Sequence, residues 1–238
     1  STSTGANGTT DFSEQRKEKP TMLMQKEREL IVEYGKKLIT AGLTKGTGGN
    51  ISIADKEQGL MAISPSGLDY FQTEPEDVAV LKLEDGSRVD GRCKPSSEHE
   101  LHRIFYTQRD DVSAVVHTHS TFATTLATLH EGLPASNYMV ALAGPDVRCA
   151  EYASFGTPEL AHNAFEAMKD RRCCLLANHG LVAIAPDLPN AFNIASLIEE
   201  CCETYWRARV VGQAQILSDE EMERMMKAFK TYGQVKSK

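Results

Sequence analysis

The sequence predicts a single α/β domain in which a mostly antiparallel or mixed sheet is flanked by helices. Short strand-like runs and helical segments alternate too irregularly for a doubly wound parallel sheet. Neither an internal repeat nor a change of composition appears after residue 20, so residues 21–238 are assigned to one domain. Residues 1–20 are small, polar and then charged, without apolar periodicity, and they are expected to be a disordered tail or the remnant of an added sequence.

The first half of the domain is expected to contain two helices separated by three strands. From Met22 onward, apolar residues recur at helical spacing as far as Gly42, which suits the position after a helix C-terminus. The runs NISIAD, LMAISP and VAVLKLEDG are bounded by turn residues and predict strands. A second helix is predicted after Pro95, with Ser97 as its N-cap and Glu100 completing a capping box.

The second half continues with strands and helices in a similar mixture. VSAVVHTH and VRCAEY predict strands, and STFATTLATL between them predicts a helix capped by Ser120. Thr157 and Pro158 mark the start of another helix, since proline is favoured at the first helical position. CCLLANHGLVAIAP predicts a strand pair interrupted at NHG. A long helix over 189–216 and a last one from Ser218 to Gly233 are expected to complete the fold.

The overall composition excludes several classes of function. A net charge of −7 disfavours a nucleic-acid-binding protein, which needs clustered positive charge, although a local group of amides can still bind a small anion. The chain contains no run of about 18 apolar residues, so no membrane span is expected, and no secretory leader is recognisable. The six cysteines match neither a disulfide framework nor a C-x-x-C zinc site, which indicates reduced thiols and a cytoplasmic protein.

Three histidines are candidate metal ligands. His117 and His119 flank Thr118 at the end of an apolar strand, where a period of two places both imidazoles on one face. His179 follows another buried apolar run, next to a glycine that permits a tight turn. Three neutral imidazoles with an open fourth position are typical of catalytic zinc. Spacing alone leaves the alternative open that these are core or turn histidines.

Three loops rich in small residues are candidate anion-binding sites. GLTKGTGGNIS, with four glycines and Asn50, lets backbone amides approach an oxyanion, and ISPSGLDY resembles it with Ser66 and Gly67. In KPSSEHELH, Ser96 and Ser97 lie at a predicted helix N-terminus, which favours a phosphate or carboxylate. Ordinary turn and capping roles remain alternatives for all three loops.

Glu98 and the remaining histidines are less clearly assigned by spacing. Glu98, just inside the predicted helix, fits a metal ligand, a general acid or base, or a carboxylate that complements the helix dipole. His102 lies one turn later, where it is expected on the helix surface, with membership of the site as the alternative. His99, His130 and His162 have no matching partners in the sequence.

Taken in order, GTGGNIS, SPSG, KPSSE, VVHTHS and NHG resemble the class II aldolase/epimerase family, which includes adducin-like proteins. The resemblance extends over about residues 22–233 and includes YASFGTPEL and LSDEE. It implies the class II aldolase fold and one Zn²⁺ per subunit, held by His117, His119 and His179. Glu98 is implied as the catalytic acid or base, and as the fourth metal ligand when substrate is absent.

The resemblance also implies how substrate binds. Tyr138 would protonate or orient the aldehyde oxygen, and Phe155 and Tyr232 would shape the aldehyde pocket. The family forms homotetramers with active sites at subunit interfaces, so a homotetramer is expected. Six residues are implied to bind the substrate phosphate: Gly49, Asn50, Ser66, Gly67, Ser96 and Ser97.

The implied reaction is retro-aldol cleavage of a ketose 1-phosphate, a small-molecule sugar phosphate. Zn²⁺ would act as a Lewis acid that stabilises an enediolate. The expected substrate is L-fuculose 1-phosphate, which yields dihydroxyacetone phosphate and L-lactaldehyde; 5-deoxyribulose 1-phosphate and methylthioribulose 1-phosphate are alternatives. A pentulose-phosphate 4-epimerase typically has PSSD where this chain has PSSE, and adducin-like interaction modules lack the metal ligands that are present here.

Overall fold

An eight-stranded sheet with helices on both faces forms the protein, described by a computed structural model over residues 21–233. The predicted tail, residues 1–20, lies outside this range. The helices of the described range are α1 Gln25–Thr40, α2 His99–Gln108, α3 Thr121–Thr128, α4 Pro158–Ala167, α5 Leu188–Val211 and α6 Asp219–Phe229. The strands are β1 Asn50–Asp55, β2 Leu60–Ile63, β3 Ala79–Lys82, β4 Arg88–Asp90, β5 Ala114–Thr118, β6 Arg148–Ala150, β7 Cys173–Leu176 and β8 Gly180–Ala185.

The sheet has the strand order β4-β3-β2-β1-β5-β8-β7-β6. All neighbouring strands pair antiparallel except β6 and β7, which are parallel. The predicted mostly antiparallel sheet is therefore confirmed. Two short 3₁₀ helices, Pro75–Asp77 and Tyr138–Leu142, lie in the connections.

Each face of the sheet carries its own hydrophobic core, because side chains alternate along every strand. On β5, Val116 packs in the core covered by α1, α3 and α5, whereas Val115 packs in the core covered by α2 and α4. His117 therefore continues the Val115 face, towards α2. Within the described residues, no helix is both long and apolar enough to cross a membrane, and all six cysteines are free thiols.

Several element boundaries follow the predicted signals. Gly42 adopts φ +70° just after α1, where its amide bonds to the carbonyl of Ile39. Thr157 caps α4 by accepting a hydrogen bond from the amide of Leu160, and Ser218 caps α6 in the same way. The element types predicted from local sequence are thus confirmed at these positions.

One predicted cap is wrong, and a second occupies the predicted position without making the capping hydrogen bond. The N-cap of α2 is Glu98 and not Ser97, and the hydroxyl of Ser96 accepts the amide of Glu98 instead. Ser120 is the N-cap of α3, but its side chain accepts no capping hydrogen bond. The carboxylate of Glu199, on α5, accepts the amides of Phe122 and Ala123 at 2.8 Å each. A carboxylate distant in sequence thus replaces the local cap, and it reaches these amides only because α5 packs against α3.

Two boundaries in less patterned segments also differ from prediction. Helix α5 ends at Val211 and does not continue to 216, because Gly212 adopts an extended backbone and the following residues leave the helix. Strand β4 was not predicted: its three residues are all exposed at the edge of the sheet and show no alternation.

Candidate active site

The adjacent ends of β1, β5 and β8 bring the candidate metal ligands together. The sheet register places Asn50, the first residue of β1, opposite His117 near the end of β5. His179 immediately precedes β8, which pairs with β5. A Cβ at Gly180 would collide with the carbonyl of Thr118, so the close approach of these two strands requires glycine there.

Four side chains converge in what we call the histidine–glutamate cluster: Glu98, His117, His119 and His179. One potential ligand atom from each lies within 4.8 Å of all the others. Nε2 of His117 is 3.1 Å from Nε2 of His119 and 3.2 Å from Oε2 of Glu98. Nε2 of His179 lies 3.3 Å from the other carboxylate oxygen, Oε1. The structure thus brings together all four residues predicted as metal ligands.

The chemistry of this donor set fits a divalent cation. Nδ1 of His117 lies 2.9 Å from the carbonyl of Leu181. A carbonyl only accepts, so Nδ1 carries a hydrogen and Nε2 is the ring atom left to bind a metal. Oε1 of Glu98 is buried without a hydrogen-bond partner. Three imidazoles and one carboxylate are a donor set that zinc sites in proteins use.

The electrostatic environment keeps these side chains in ligating forms. Burial raises the pKa of Glu98, but the adjacent His117 and His179 and the hydrogen bond from Asn50 hold it well below its usual range. Burial and then the charge of His117 lower the pKa of His179 to about 4, so its imidazole is neutral at pH 7. A neutral imidazole and an ionised carboxylate are the forms that bind metals.

The loops predicted to bind phosphate flank the cluster. Bridge pairing between Pro65 and Pro95 joins the SPSG and PSSE loops, with the amide of Ser96 bonded to the carbonyl of Ser64. Ser66, Gly67 and Ser97 are exposed at these loops, while the side chain of Ser96 is buried. The PSSE loop runs directly into Glu98, so a group bound there would lie beside the cluster.

The glycine-rich loop also contacts the cluster. Gly49 has φ +71°, and a Cβ there would come within 2.7 Å of the carbonyl of His117. Asn50 is buried, and its Nδ2 donates to Oε2 of Glu98 at 2.9 Å. The hydroxyl of Tyr70 donates to the carbonyl of Gly49 at 2.8 Å and holds the loop in place. The Asn50 side chain thus contacts the candidate catalytic carboxylate, and the lack of a side chain at Gly49 lets the loop backbone approach His117 closely.

The residues predicted for the aldehyde pocket lie in two places. Phe155 is 69% exposed in a loop whose Gly156 packs against the carbonyl of Ser97. Tyr138 stacks on Phe229 with ring centroids 6.1 Å apart, and Phe229 contacts Tyr232. We call Tyr138, Phe229 and Tyr232 the aromatic cluster. Among the described residues, no hydrogen bond, ion pair or ring contact joins this cluster to the histidine–glutamate cluster.

The predicted surface position of His102 is wrong. This residue is fully buried, with Ser52 at Nδ1 and Asn50 at Nε2, and it does not lie on the helix surface. The spacing of Glu98, His102 and Tyr106, four residues apart along α2, could have indicated a shared inward face.

Comparison with known proteins identifies the family. Residues 29–206 match the family described as "Class II Aldolase and Adducin N-terminal domain". The chain belongs to the class II aldolase family. The predicted family and its fold are therefore confirmed.

Individual relatives are named as aldolases. The chain is 56% identical over 213 residues to the 5-deoxy-D-ribulose 1-phosphate aldolase of Bacillus thuringiensis serovar kurstaki, covering 90% of this chain and 100% of that protein. It is 44% identical to the 5-methylthioribulose-1-phosphate/5-deoxyribulose-1-phosphate aldolase of Rhodospirillum rubrum, with 87% and 92% covered. A solved structure named L-fuculose 1-phosphate aldolase superposes with a TM-score of 0.86 at 51% identity, covering 88% of this chain and 98% of that one. The protein is therefore an enzyme, a class II aldehyde-lyase.

Proposed function

We propose that this protein is a cytoplasmic, Zn²⁺-dependent aldolase that cleaves 5-deoxyribulose 1-phosphate to dihydroxyacetone phosphate and acetaldehyde. The observation that carries the reaction type is the convergence of Glu98 with three histidines beside the serine- and glycine-rich loops. The substrate rests on the names of two relatives that are 56% and 44% identical. This alternative is better supported than L-fuculose 1-phosphate, the substrate first expected from the sequence. The free thiols fit a reducing compartment.

The placement of the loops suits a ketose 1-phosphate. In such a substrate the phosphate is on C1, the carbonyl is C2, and the bond to be broken joins C3 and C4. A phosphate bound by the loop amides and hydroxyls would therefore place C2 and C3 beside the cluster. We assign this binding role to Gly49, Asn50, Ser66, Gly67, Ser96 and Ser97.

Zn²⁺ would be held by His117, His119 and His179, with Glu98 as fourth ligand before substrate binds, and it would supply a Lewis acid that polarises the carbonyl. Glu98 is the proposed acid that delivers a proton to C3 after the C3–C4 bond breaks. It starts as a carboxylate, so the proton that it delivers is the one that the C4 hydroxyl gives up as that bond breaks. Asn50 holds Oε2, whereas Oε1 has no hydrogen-bond partner and is the atom proposed to carry that proton. No lysine is needed in this chemistry.

Tyr138 is proposed to exchange a proton with the C4 oxygen, and Phe155 and Tyr232 to shape the aldehyde pocket. Tyr138 and Tyr232 are 52% and 83% exposed, and their contacts lie within the aromatic cluster. We therefore propose a homotetramer in which they reach the active site of a neighbouring subunit. An exposed aromatic patch of this kind is typical of an interface.

Cleavage of L-fuculose 1-phosphate is the second candidate, because the structure named for that activity is 51% identical to this chain. The two substrates share the dihydroxyacetone phosphate half and differ in the aldehyde half, acetaldehyde or L-lactaldehyde. A 4-epimerase or an adducin-like module is disfavoured, since the relatives are named aldolases and the chain retains Glu98 with all three histidines.

A substrate panel tests this proposal. Purified enzyme would be assayed with 5-deoxyribulose 1-phosphate, L-fuculose 1-phosphate and methylthioribulose 1-phosphate, before and after chelation and again after Zn²⁺ is restored. We expect the highest kcat/KM with 5-deoxyribulose 1-phosphate, loss of activity of about 10³-fold or more on chelation, and recovery with Zn²⁺. Turnover that is insensitive to chelation would overturn the metal-dependent mechanism, and preference for L-fuculose 1-phosphate would favour the second candidate.

A further inference from the structure

A row of buried polar side chains runs from the core of the protein to Glu98. Glu98, His102 and Tyr106 lie four residues apart on one face of α2, and Asn50 and Ser52 lie two apart on one face of β1. Every member is buried, with at most 6% of its surface exposed. Strand β1 and helix α2 thus contact each other here through polar groups, and not through the hydrophobic side chains that usually fill such a contact.

The contacts form a continuous chain of hydrogen bonds. The Tyr106 hydroxyl lies 2.6 Å from Oγ of Ser52, which lies 2.6 Å from Nδ1 of His102. Nε2 of His102 contacts Oδ1 of Asn50, and Nδ2 of Asn50 lies 2.9 Å from Oε2 of Glu98. Only the last contact touches the histidine–glutamate cluster.

The direction of donation follows from the acceptor at the end of the chain. Ionised Glu98 can only accept, so Asn50 must turn its NH₂ towards it and its carbonyl towards His102. His102 must then donate from Nε2. With a hydrogen on Nε2, the neutral ring accepts at Nδ1, so Ser52 donates to it and accepts from Tyr106.

His102 reinforces the orientation in which the NH₂ end of the Asn50 amide faces the carboxylate. The two ends of an amide are nearly identical in shape, so packing alone does not distinguish them. If the Nε2 donor were absent, the amide could rotate by 180° and turn its carbonyl towards Glu98, where two oxygens would repel each other. The imidazole removes this alternative because it offers a donor and not an acceptor.

We propose that His102 is a positioning residue that orients Glu98 through Asn50, with its ring held as the neutral Nε2–H tautomer. The proposal rests on the proposed function, in which Glu98 is both a metal ligand and the proton donor. An oriented carboxylate presents Oε1 to the reacting carbon while Oε2 stays anchored. Groups that orient metal ligands in this way typically contribute about 10- to 100-fold to metal affinity or activity.

Substitution of His102 tests the proposal. In His102→Leu we expect kcat to fall about 10- to 100-fold with little change in KM, and the affinity for Zn²⁺ alone, measured by competition with a chelator, to fall by about the same factor. In His102→Gln, whose amide can donate to Asn50 and accept from Ser52, we expect most of both losses to be recovered.

Phe105→Leu is the matched control, because Phe105 is fully buried on the same helix and contacts none of these polar groups through hydrogen bonds. It should lower Tm while leaving kcat and Zn²⁺ affinity within about twofold of wild type. Equal losses of kcat in Phe105→Leu and His102→Leu at equal Tm would show that His102 is merely structural and overturn the proposal.

A spectroscopic measurement needs neither a variant nor a substrate. In ¹⁵N-labelled wild-type protein, with and without Zn²⁺, the ring nitrogen shifts of His102 should show the neutral Nε2–H tautomer. The Nδ1–H tautomer would mean that the chain donates in the opposite direction and would overturn the proposal by itself. Failure of wild-type enzyme to cleave any of the sugar phosphates would instead overturn the proposed function and leave the tautomer unchanged.

Discussion

The histidine–glutamate cluster and the aromatic cluster differ in how completely one chain builds them. In the first, His117 is fully buried and donates to the carbonyl of Leu181 on β8, and Glu98 is 6% exposed and accepts from Asn50 on β1. In the second, Tyr138 is 52% and Tyr232 83% exposed, and their contacts are to each other through Phe229. A single fold therefore preorganises the proposed metal and proton chemistry. The proposed aldehyde pocket is left to be completed by a second surface.

Among the substitutions that test this difference, replacing the proposed acid Glu98 should lower kcat the most. In Glu98→Gln, the side chain keeps its size and can still accept from Asn50, but it cannot transfer a proton. We expect kcat to fall about 10²- to 10⁴-fold, the usual contribution of a general acid or base. Steady-state kinetics of cleavage would measure it.

Glu100→Gln is the control for that substitution, because Glu100 lies on the same helix and pairs with Arg103. It should change kcat by less than about twofold, since exposed or half-exposed ion pairs contribute little. Equal kinetics for Glu98→Gln and wild type would contradict the role assigned to Glu98.

Removing the phenol hydroxyl of Tyr138 should have a smaller effect. We expect Tyr138→Phe to lower kcat about 10²-fold, at the lower end of the range for a proton-transfer group, and to leave Zn²⁺ binding unchanged. Tyr34→Phe is the control. Tyr34 lies on α1 and packs against Phe192 of α5, so its substitution should leave kcat unchanged.

A mixed oligomer tests whether Glu98 and Tyr138 of one active site come from different subunits. If Tyr138 serves a neighbouring site, co-assembly of Tyr138→Phe subunits with Glu98→Gln subunits should create some sites with both groups intact. Activity well above that of either variant alone is then expected. Mixed oligomers as inactive as the separate variants would place both residues in the same subunit's site.

Lowering the pH should decrease the free energy of unfolding through the buried His102, and this is the smallest of the expected effects. Burial and then the charge of His117 lower the pKa of His102 to about 3, against an ordinary value near 6.5. The unfolded chain therefore binds a proton as the pH falls below 6.5, while the folded protein does not. Stability from this group is fully present above pH 6.5 and is lost progressively as the pH falls towards 3.

For the metal-free protein, this linkage contributes a loss of about 2 kcal/mol in the free energy of unfolding between pH 7.5 and pH 5. Urea unfolding at the two pH values would measure it, with His102→Gln as the control that should show a smaller loss. The same pH dependence in both proteins would mean that other groups account for it.

Much of the fold could be predicted from local sequence, because the signals involved act over a few residues. The glycine after α1 and the caps Thr157 and Ser218 satisfy backbone groups within one turn, so the sequence around them is sufficient. The acceptor for the first amides of α3 could not be predicted in this way, although the N-cap position of Ser120 could. That acceptor, Glu199, lies 76 and 77 residues beyond the amides that it binds.

The candidate site divides in the same manner. The sequence by itself determined that His117 and His119 share one face of a strand, because side chains alternate with a period of two. Only the tertiary structure decided that His179 and Glu98 join them, since that depends on β8 pairing with β5 and on α2 packing over β1. His102 shows the physical reason most clearly. A polar stripe on a helix predicts a solvated face unless another element supplies polar partners, and those partners, Asn50 and Ser52, lie about 50 residues away on β1.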